Sequence, residues 1–328
     1  MTPDLDLTAM RRIHVVGVGG AGMSAIAEVL TTMGHEVTGS DLKDSTGLDR
    51  LRALGVTVRV GHDAANVGDA DLVTRSTAIA DNNVECRVAQ RRGIPLLSRA
   101  QMLGGICLLR DTVAVAGTHG KTTTASMLAL VLREAGLRPS FIIGGDVNEI
   151  GTGAAWDDGQ IFVVEADESD GSFLDLERRV AVVTNVEPDH LDYHGDFEGL
   201  RTAFRRFVEE TDGVTVVGID DEGGRRLAEG SGVATVGTSV GATWRLESVY
   251  EAWEGVSFDL VGPGGERLPI QVPLPGLHNA RNAAVAAVTG LVVASPPEAV
   301  IEALARFGGV ARRFEHRGAA AGGEFVDD

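Results

Sequence analysis

At 328 residues the chain is too long for one ordinary domain and suits two, with a fragment of a third. Hydrophobic residues, at 44%, can fill sizeable cores, and a formal charge of −18 with no long Lys/Arg run excludes a broad basic surface for nucleic acid. The only cysteines, Cys86 and Cys107, lie far apart with no partner His and no CxxC, so they read as reduced buried thiols.

Met1 to Met10 is polar and acidic without an apolar core, so no signal peptide is read there. The longest apolar stretch, near Ala283 to Ala294, is broken by Thr289 and Gly290 and is too short to span a bilayer. No membrane partner is expected, and the chain reads as cytoplasmic.

Short β-branched runs alternate with helical patterns along most of the chain, which predicts α/β architecture with a parallel sheet covered on both faces. Ile13–Val18 reads as a strand, Ala21–Met33 as a helix and Glu36–Ser40 as the next strand. Helices follow at Leu48–Leu54 and Asn83–Arg92, with strands at Thr57–Val60, Asp71–Thr74 and Ile94–Leu97, and Arg99–Ile106 closes a first domain. The boundary is placed near Arg110.

A second α/β unit opens with the strand Thr112–Ala116 and the helix Thr122–Ala135. Strands at Ile161–Glu165 and Val180–Thr184, a helix around Phe197–Glu209 and a strand at Val214–Val217 come next. Thr243 to Val272 alternates with a Gly-Pro-Gly-Gly turn at Gly262–Gly265, which suggests a small antiparallel insertion. Helices Leu277–Val293 and Pro297–Arg306 complete the unit, and Phe314 to Asp328 reads as one strand of a further domain. The expected division is residues 1–110, 111–312 and 313–328.

The segment Gly117-Thr-His-Gly-Lys-Thr-Thr-Thr124 sits between a strand and a helix. It is shorter than G-x-x-x-x-G-K-[ST], since only Thr118 and His119 separate its glycines, but the physics is shared. Glycine lets successive N–H groups point at phosphate oxygens, and the helix N-terminus adds favourable potential. Lys121 would carry the cation to the phosphates and the Thr122 hydroxyl would face Mg²⁺. A Gly-rich turn with an exposed lysine is the plain alternative.

Glu165 ends an apolar strand, where a carboxylate reaches the loop at the sheet's carboxyl edge, and Glu168 and Asp170 follow it. His190 lies just beyond the strand Val180–Thr184 and can reach the same edge. Mg²⁺ prefers oxygen, so a capping or solvated His190 stays open as a reading.

Gly17-Val-Gly19-Gly20-Ala21-Gly22 fits G-x-G-x-x-G, with Asp41 near the end of the next strand. Alone this reads as a dinucleotide site for NAD. Any pyrophosphate satisfies the same loop, and a second nucleotide loop at Gly117 favours a nucleoside-diphosphate sugar here. Met23 and Ser24 fall on the first turn of the following helix.

In order, GVGGAGMS (Gly17–Ser24), Ser40-Asp41, Arg75-Ser-Thr-Ala-Ile79, GTHGKTTT, EADESDGSF, NVEPDHLD, Pro275-Gly-Leu-His-Asn-Ala-Arg-Asn282 and Ala311-Arg-Arg-Phe-Glu315 resemble the Mur ligases of peptidoglycan synthesis over essentially the whole chain. The resemblance implies a Rossmann-like parallel-sheet domain and then a P-loop ATPase-type central domain. It implies ATP and Mg²⁺ as cofactors and ligation of L-alanine to UDP-N-acetylmuramate through an acyl phosphate. A recycling ligase that adds a tripeptide to the same sugar nucleotide ranks second, and a non-catalytic nucleotide-binding fragment is the other alternative.

By the same resemblance Gly19, Gly20, Ala21, Gly22, Met23, Ser24, Ser40, Asp41, Ser76 and Thr77 would hold the UDP sugar. ATP would lie on Gly117, Thr118, Gly120, Lys121, Thr122 and Thr123, with His278, Asn279 and Asn282 at adenine and Arg313 touching the nucleotide. Thr122, Glu165 and His190 would be the metal positions, and Lys121, His119 and His190 the catalytic ones. The family's third domain supplies the amino-acid site, so the expectation is a truncated chain that binds substrate but is inactive alone.

Overall fold

The computed structural model describes residues 5–310, 315–320 and 323–327. Contacts divide the chain into two compact units, Met1–Arg110 with Ala154–Trp156, and Asp111–Gly153 with Asp157–Asp328.

The first unit contains β1 (Arg12–Val16), α1 (Ala21–Thr32), β2 (Glu36–Asp41), α2 (Thr46–Ala53), β3 (Thr57–Val60), β4 (Leu72–Arg75), α3 (Val84–Arg92), β5 (Leu96–Ser98) and α4 (Arg99–Cys107). Its five strands run parallel in the order β3-β2-β1-β4-β5. The order reverses beside β1, so the crevice for a ligand lies at the carboxyl ends of β1 and β4. Ile13, Val15 and Val16 are fully buried, as a strand covered on both faces requires.

Local chemistry sets the helix ends. Ser45 caps α2 by accepting from Leu48 N, Asn83 caps α3 by accepting from Glu85 N, and Ser98 with Gln101 forms a capping box on α4. Cys86 and Cys107 are buried reduced thiols.

The second unit begins with β6 (Asp111–Ala116), α5 (Lys121–Glu134), β7 (Ser140–Val147), β8 (Thr152–Ala155), β9 (Ile161–Glu165), β10 (Val180–Val183), α6 (Leu191–His194) and α7 (Phe197–Glu209). It continues with β11 (Val214–Gly218), α8 (Glu222–Ala228), β12 (Ala234–Gly237), β13 (Trp244–Ala252), β14 (Gly255–Val261), β15 (Arg267–Val272), α9 (Leu277–Val292) and α10 (Pro297–Ala305). One ten-stranded sheet runs β15-β14-β13-β12-β11-β10-β6-β9-β7-β8. The β13–β15 segment belongs to this sheet. β13 pairs parallel with β12 and antiparallel with β14, so the antiparallel strands extend the main sheet.

Close packing behind the sheet follows from small residues. α9 is rich in alanine and almost wholly buried, and a Cβ on Gly290 would meet Val131 Cγ1 of α5 at 2.8 Å. Elsewhere α7 buries Leu200, Phe204, Phe207 and Val208, and the Phe173 ring stacks on Phe207 at 5.1 Å.

The segments β7, β8, α6, α8 and β12 carry no strong sequence signal. Gly144 and Gly145 interrupt β7, and Gly223 and Gly224 sit inside α8. The C-terminal segment, read as one strand, is a pair: β16 (Glu315–Ala320) runs antiparallel to β17 (Gly323–Asp327). Among the described residues no helix is long and apolar enough to cross a membrane.

Candidate active site

β6 delivers the chain at Ala116 into a loop whose glycines have no substitute. Gly117 has φ +132°, and a Cβ on it would lie 2.0 Å from Thr184 Oγ1. Gly120 has φ +80°, and a Cβ there would lie 2.3 Å from Asn282 Oδ1. Both positions need a residue without a side chain and in a left-handed conformation. Gly120 also starts α5 with no side-chain cap, which leaves the first-turn amides facing the loop's concavity.

The segment after β10 holds this loop. Thr184 Oγ1 donates to His119 O at 2.6 Å, and Thr118 N donates to Asn185 O at 3.1 Å. The Asn185 amide brackets His119, accepting from its N at 2.9 Å and donating to its O at 2.8 Å. Glu187 N donates to Thr118 Oγ1 at 2.9 Å, and Thr118 Oγ1 donates onward to Glu187 O at 3.1 Å. Val186 N reaches Asp221 Oδ1 at 3.1 Å; burial pushes the Asp221 carboxyl above its usual range, against the amides that donate to it. The cradle is thus held by the protein's own hydrogen bonds.

Lys121 lies over the loop. Its Nζ donates to Gly117 O at 2.8 Å and to both Glu168 oxygens at 2.8 and 3.0 Å. Glu168 is fully buried, and burial raises its carboxyl pKa despite the pull of Lys121. His119, at the loop tip, is exposed, with Nε2 3.7 Å from Glu187 Oε2.

Thr122 Oγ1 meets the Glu165 carboxylate at 2.9 and 3.1 Å, and Gly144 N donates to Glu165 Oε2 at 2.8 Å. This corner offers only hard oxygens to a cation, the donor type Mg²⁺ takes. Among the described residues no group of three or more His, Cys, Asp or Glu converges as a metal site. The Thr122–Glu165 pair therefore fits Mg²⁺ as a partial shell that phosphate oxygens and water would complete. His190 Nε2 is 4.0 Å from Glu168 Oε1 and 3.7 Å from Asp189 Oδ2. Its backbone is left-handed at φ 49°, unusual for a residue with a side chain.

At the start of α9, His278 is exposed while Asn279 and Asn282 are buried. Asn279 Nδ2 donates to Pro275 O at 2.8 Å, and Asn282 lies against Gly120, so this helix end adjoins the loop. Arg281 Nε pairs with Asp220 Oδ2 at 2.6 Å and ties the same end to β11. Thr123 is half-buried on the first turn of α5. Arg313 lies outside the described residues.

In the first unit Asp41 Oδ2 accepts from Gly19 N at 2.8 Å, and Ser40 O accepts from Gly17 N and Val18 N at 2.8 and 3.0 Å. Ser24 Oγ donates to Val18 O at 2.6 Å, and α1 opens at Gly20 without a side-chain cap. Gly20, Ala21 and Gly22 therefore present backbone, and Met23 is buried. Ser76 N donates to Val16 O at 3.0 Å, which holds Ser76 and exposed Thr77 beside β1's carboxyl end. Ser40 Oγ faces away from this mouth, donating to buried Glu85 Oε2 at 2.6 Å, so only its carbonyl serves the loop.

Several residues of the site were not singled out by sequence reasoning. Asn185 lies inside a quoted motif with no role of its own, and Glu168 is named only as an acidic residue following Glu165, not as the partner of Lys121. Gly144, Asp220 and Glu85 carried no local signal.

A lysine-bearing glycine loop at the head of a helix, with a hydroxyl–carboxylate corner beside it, is the arrangement of a P-loop α/β fold. Residues 115–290 match the model of the Mur ligase middle domain, and residues 12–110 match that of the Mur ligase family, catalytic domain. The chain belongs to the Mur ligase family. It is 46% identical to the UDP-N-acetylmuramate–L-alanine ligase of Thermobifida fusca, over 99% of this chain and 70% of that one.

Among solved structures it is similar to the UDP-N-acetylmuramate–alanine ligase MurC of Thermotoga maritima, with TM-score 0.85 and 30% identity over 97% of this chain and 74% of that one. It is also similar to the UDP-N-acetylmuramate:L-alanyl-γ-D-glutamyl-meso-diaminopimelate ligase of Neisseria meningitides, with TM-score 0.81 and 31% identity over 93% of this chain and 100% of that one.

Proposed function

We propose that this chain carries the nucleotide-binding units of an ATP-dependent ligase that joins L-alanine to UDP-N-acetylmuramate. The observation that carries the reading is the pre-built Gly117–Thr122 cradle with Lys121 laid across it, in a chain 46% identical to an alanine ligase. Residues 1–110 are assigned the UDP sugar and residues 111–312 ATP.

In this reading an oxygen of the sugar's lactyl carboxylate attacks the γ-phosphorus of ATP and the bond to ADP breaks, leaving an acyl phosphate. The amine of alanine then attacks the acyl carbon, a proton leaves the nitrogen, and phosphate departs. Two anions must approach each other, so stabilising the accumulating negative charge dominates catalysis. Lys121 and the amides of the loop and of α5 supply that stabilisation. Bound at Thr122 and Glu165, Mg²⁺ would neutralise phosphate charge. His119 and His190 are assigned to orienting the sugar acid, and His278, Asn279 and Asn282 to the adenine. Gly19, Gly20 and the first turn of α1 face the UDP pyrophosphate, with Ser76 and Thr77 beside them. No described residue is assigned to L-alanine.

A ligase for a tripeptide on the same sugar nucleotide is the second reading, supported by the fold match over the whole Neisseria chain. The higher identity to an alanine ligase ranks it below the first.

Calorimetric titration of the chain with UDP-N-acetylmuramate, ATP and NAD tests the assignment. Separate binding of the first two is expected, and Lys121→Ala should weaken ATP by about a hundredfold while moving the UDP sugar less than about threefold. Binding of NAD in place of the UDP sugar, or equal loss of both ligands in the variant, would overturn it.

A further inference from the structure

Glu168 belongs to neither the loop nor the oxygen corner, yet it is the fully buried partner of the Lys121 ammonium. Both its oxygens accept from Lys121 Nζ, at 2.8 and 3.0 Å, across 47 positions of sequence. The segment that carries it is anchored: Glu168 O accepts from His194 Nε2 at 2.8 Å and from Gly171 N at 3.2 Å. The backbone that carries the carboxylate is therefore fixed.

A lysine ammonium has three donors and no fixed plane, so it can exchange one oxygen partner for another. In the structure it is shared between Glu168 and the loop carbonyls of Gly117 and Thr118, the latter at 2.8 and 3.5 Å. Nucleotide must draw the ammonium away from a buried carboxylate, and that carboxylate then loses its cation. His190, with Nε2 4.0 Å from Glu168 Oε1, is the group facing it.

We propose that Glu168 is a positioning residue, the resting counter-ion of Lys121, which competes with nucleotide phosphate for the ammonium. The proposal rests on the reading of Gly117–Thr122 as the ATP site. Glu168 keeps the lysine aimed along the loop when no nucleotide is bound and lowers ATP affinity by the strength of the pair it must give up. A residue with a merely structural role, or one that helps to bind the nucleotide, would move affinity the other way when removed.

The test is calorimetric titration of wild type, Glu168→Gln and Glu168→Asp with ATP in the presence of Mg²⁺, each variant first checked for folding by circular dichroism. Glu168→Gln, which keeps the shape and removes the charge, is expected to bind ATP about fivefold to tenfold more tightly. Glu168→Asp withdraws the charge by one methylene and should shift affinity the same way by a smaller factor. Unchanged or weaker binding in a folded variant overturns the counter-ion role. Loss of the folded state in both variants shows a structural carboxylate and overturns it too. Failure of wild type to bind ATP removes the site reading and this inference with it, whereas normal wild-type binding with unmoved variants removes the inference alone.

Discussion

The side-chain amide of Asn185 and the backbone of His119 form a reciprocal pair, N–H to Oδ1 at 2.9 Å and Nδ2–H to carbonyl at 2.8 Å. One residue beyond β10 thereby fixes the tip of the phosphate loop beyond β6. Asn185→Ala deletes both bonds and leaves the His119 amide and carbonyl to water. The expected loss is about 1–2 kcal/mol of stability and about tenfold in ATP affinity, because the loop must be ordered on binding. Urea unfolding and ATP titration of the same preparation check the two numbers, and an unaltered affinity would show that the loop holds its shape without this clamp.

Two glycines of similar backbone hand separate crowding from conformation. Gly117→Ala puts a methyl 2.0 Å from Thr184 Oγ1 at φ +132°, and it should cost more than about 3 kcal/mol. Gly136→Ala, at φ +72° with nothing within 4 Å, meets only the left-handed penalty and should cost about 1 kcal/mol. Comparable denaturation midpoints for the two variants would mean that Thr184 yields easily.

Glu85 should govern acid stability of the first unit. Burial pushes its carboxyl up, but the His14 ring, Ser40 and Asn66 outweigh that and leave it at about 2 against an ordinary 4.5. A depressed value means the stabilisation is fully present above the ordinary pKa and is lost as pH falls from 4.5 toward about 2. The amount at neutral pH is on the order of 3 kcal/mol. Stability measured against pH should fall more steeply through that window in wild type than in Glu85→Gln, which begins lower and keeps only the slope of carboxylates such as Asp71. Parallel curves would assign the acid sensitivity to other carboxylates.

How far these relationships could be read in advance depends on their reach along the chain. Lys121 and Thr122 were legible because a strand, a glycine turn and a helix follow one another within a few residues, and Glu165 because it ends an apolar run. Asn185 and Glu168 act on the loop only because β10 and β9 flank β6 on its two sides, and strand order is not written in local pattern. Sequence pattern puts Ser40 beside the first glycine loop but does not show that its hydroxyl bonds Glu85, 45 residues onward and inside the core. Alternation along β2 gives the face but not the partner. β7 escaped notice because Gly144 and Gly145 break its apolar run, and Gly144 is needed there: a Cβ would lie 2.7 Å from Glu165 Oε2.

His190 carries a left-handed backbone that glycine would adopt freely. Replacing it with glycine should therefore leave the protein as stable as before or more so, by up to about 1 kcal/mol, even as the imidazole beside Glu168 disappears. Selection for heat resistance alone would drift toward that glycine. If the imidazole has the orienting role proposed for it, foldedness and usefulness pull on this one residue in opposite directions, and a screen that scored only thermal tolerance would discard it first.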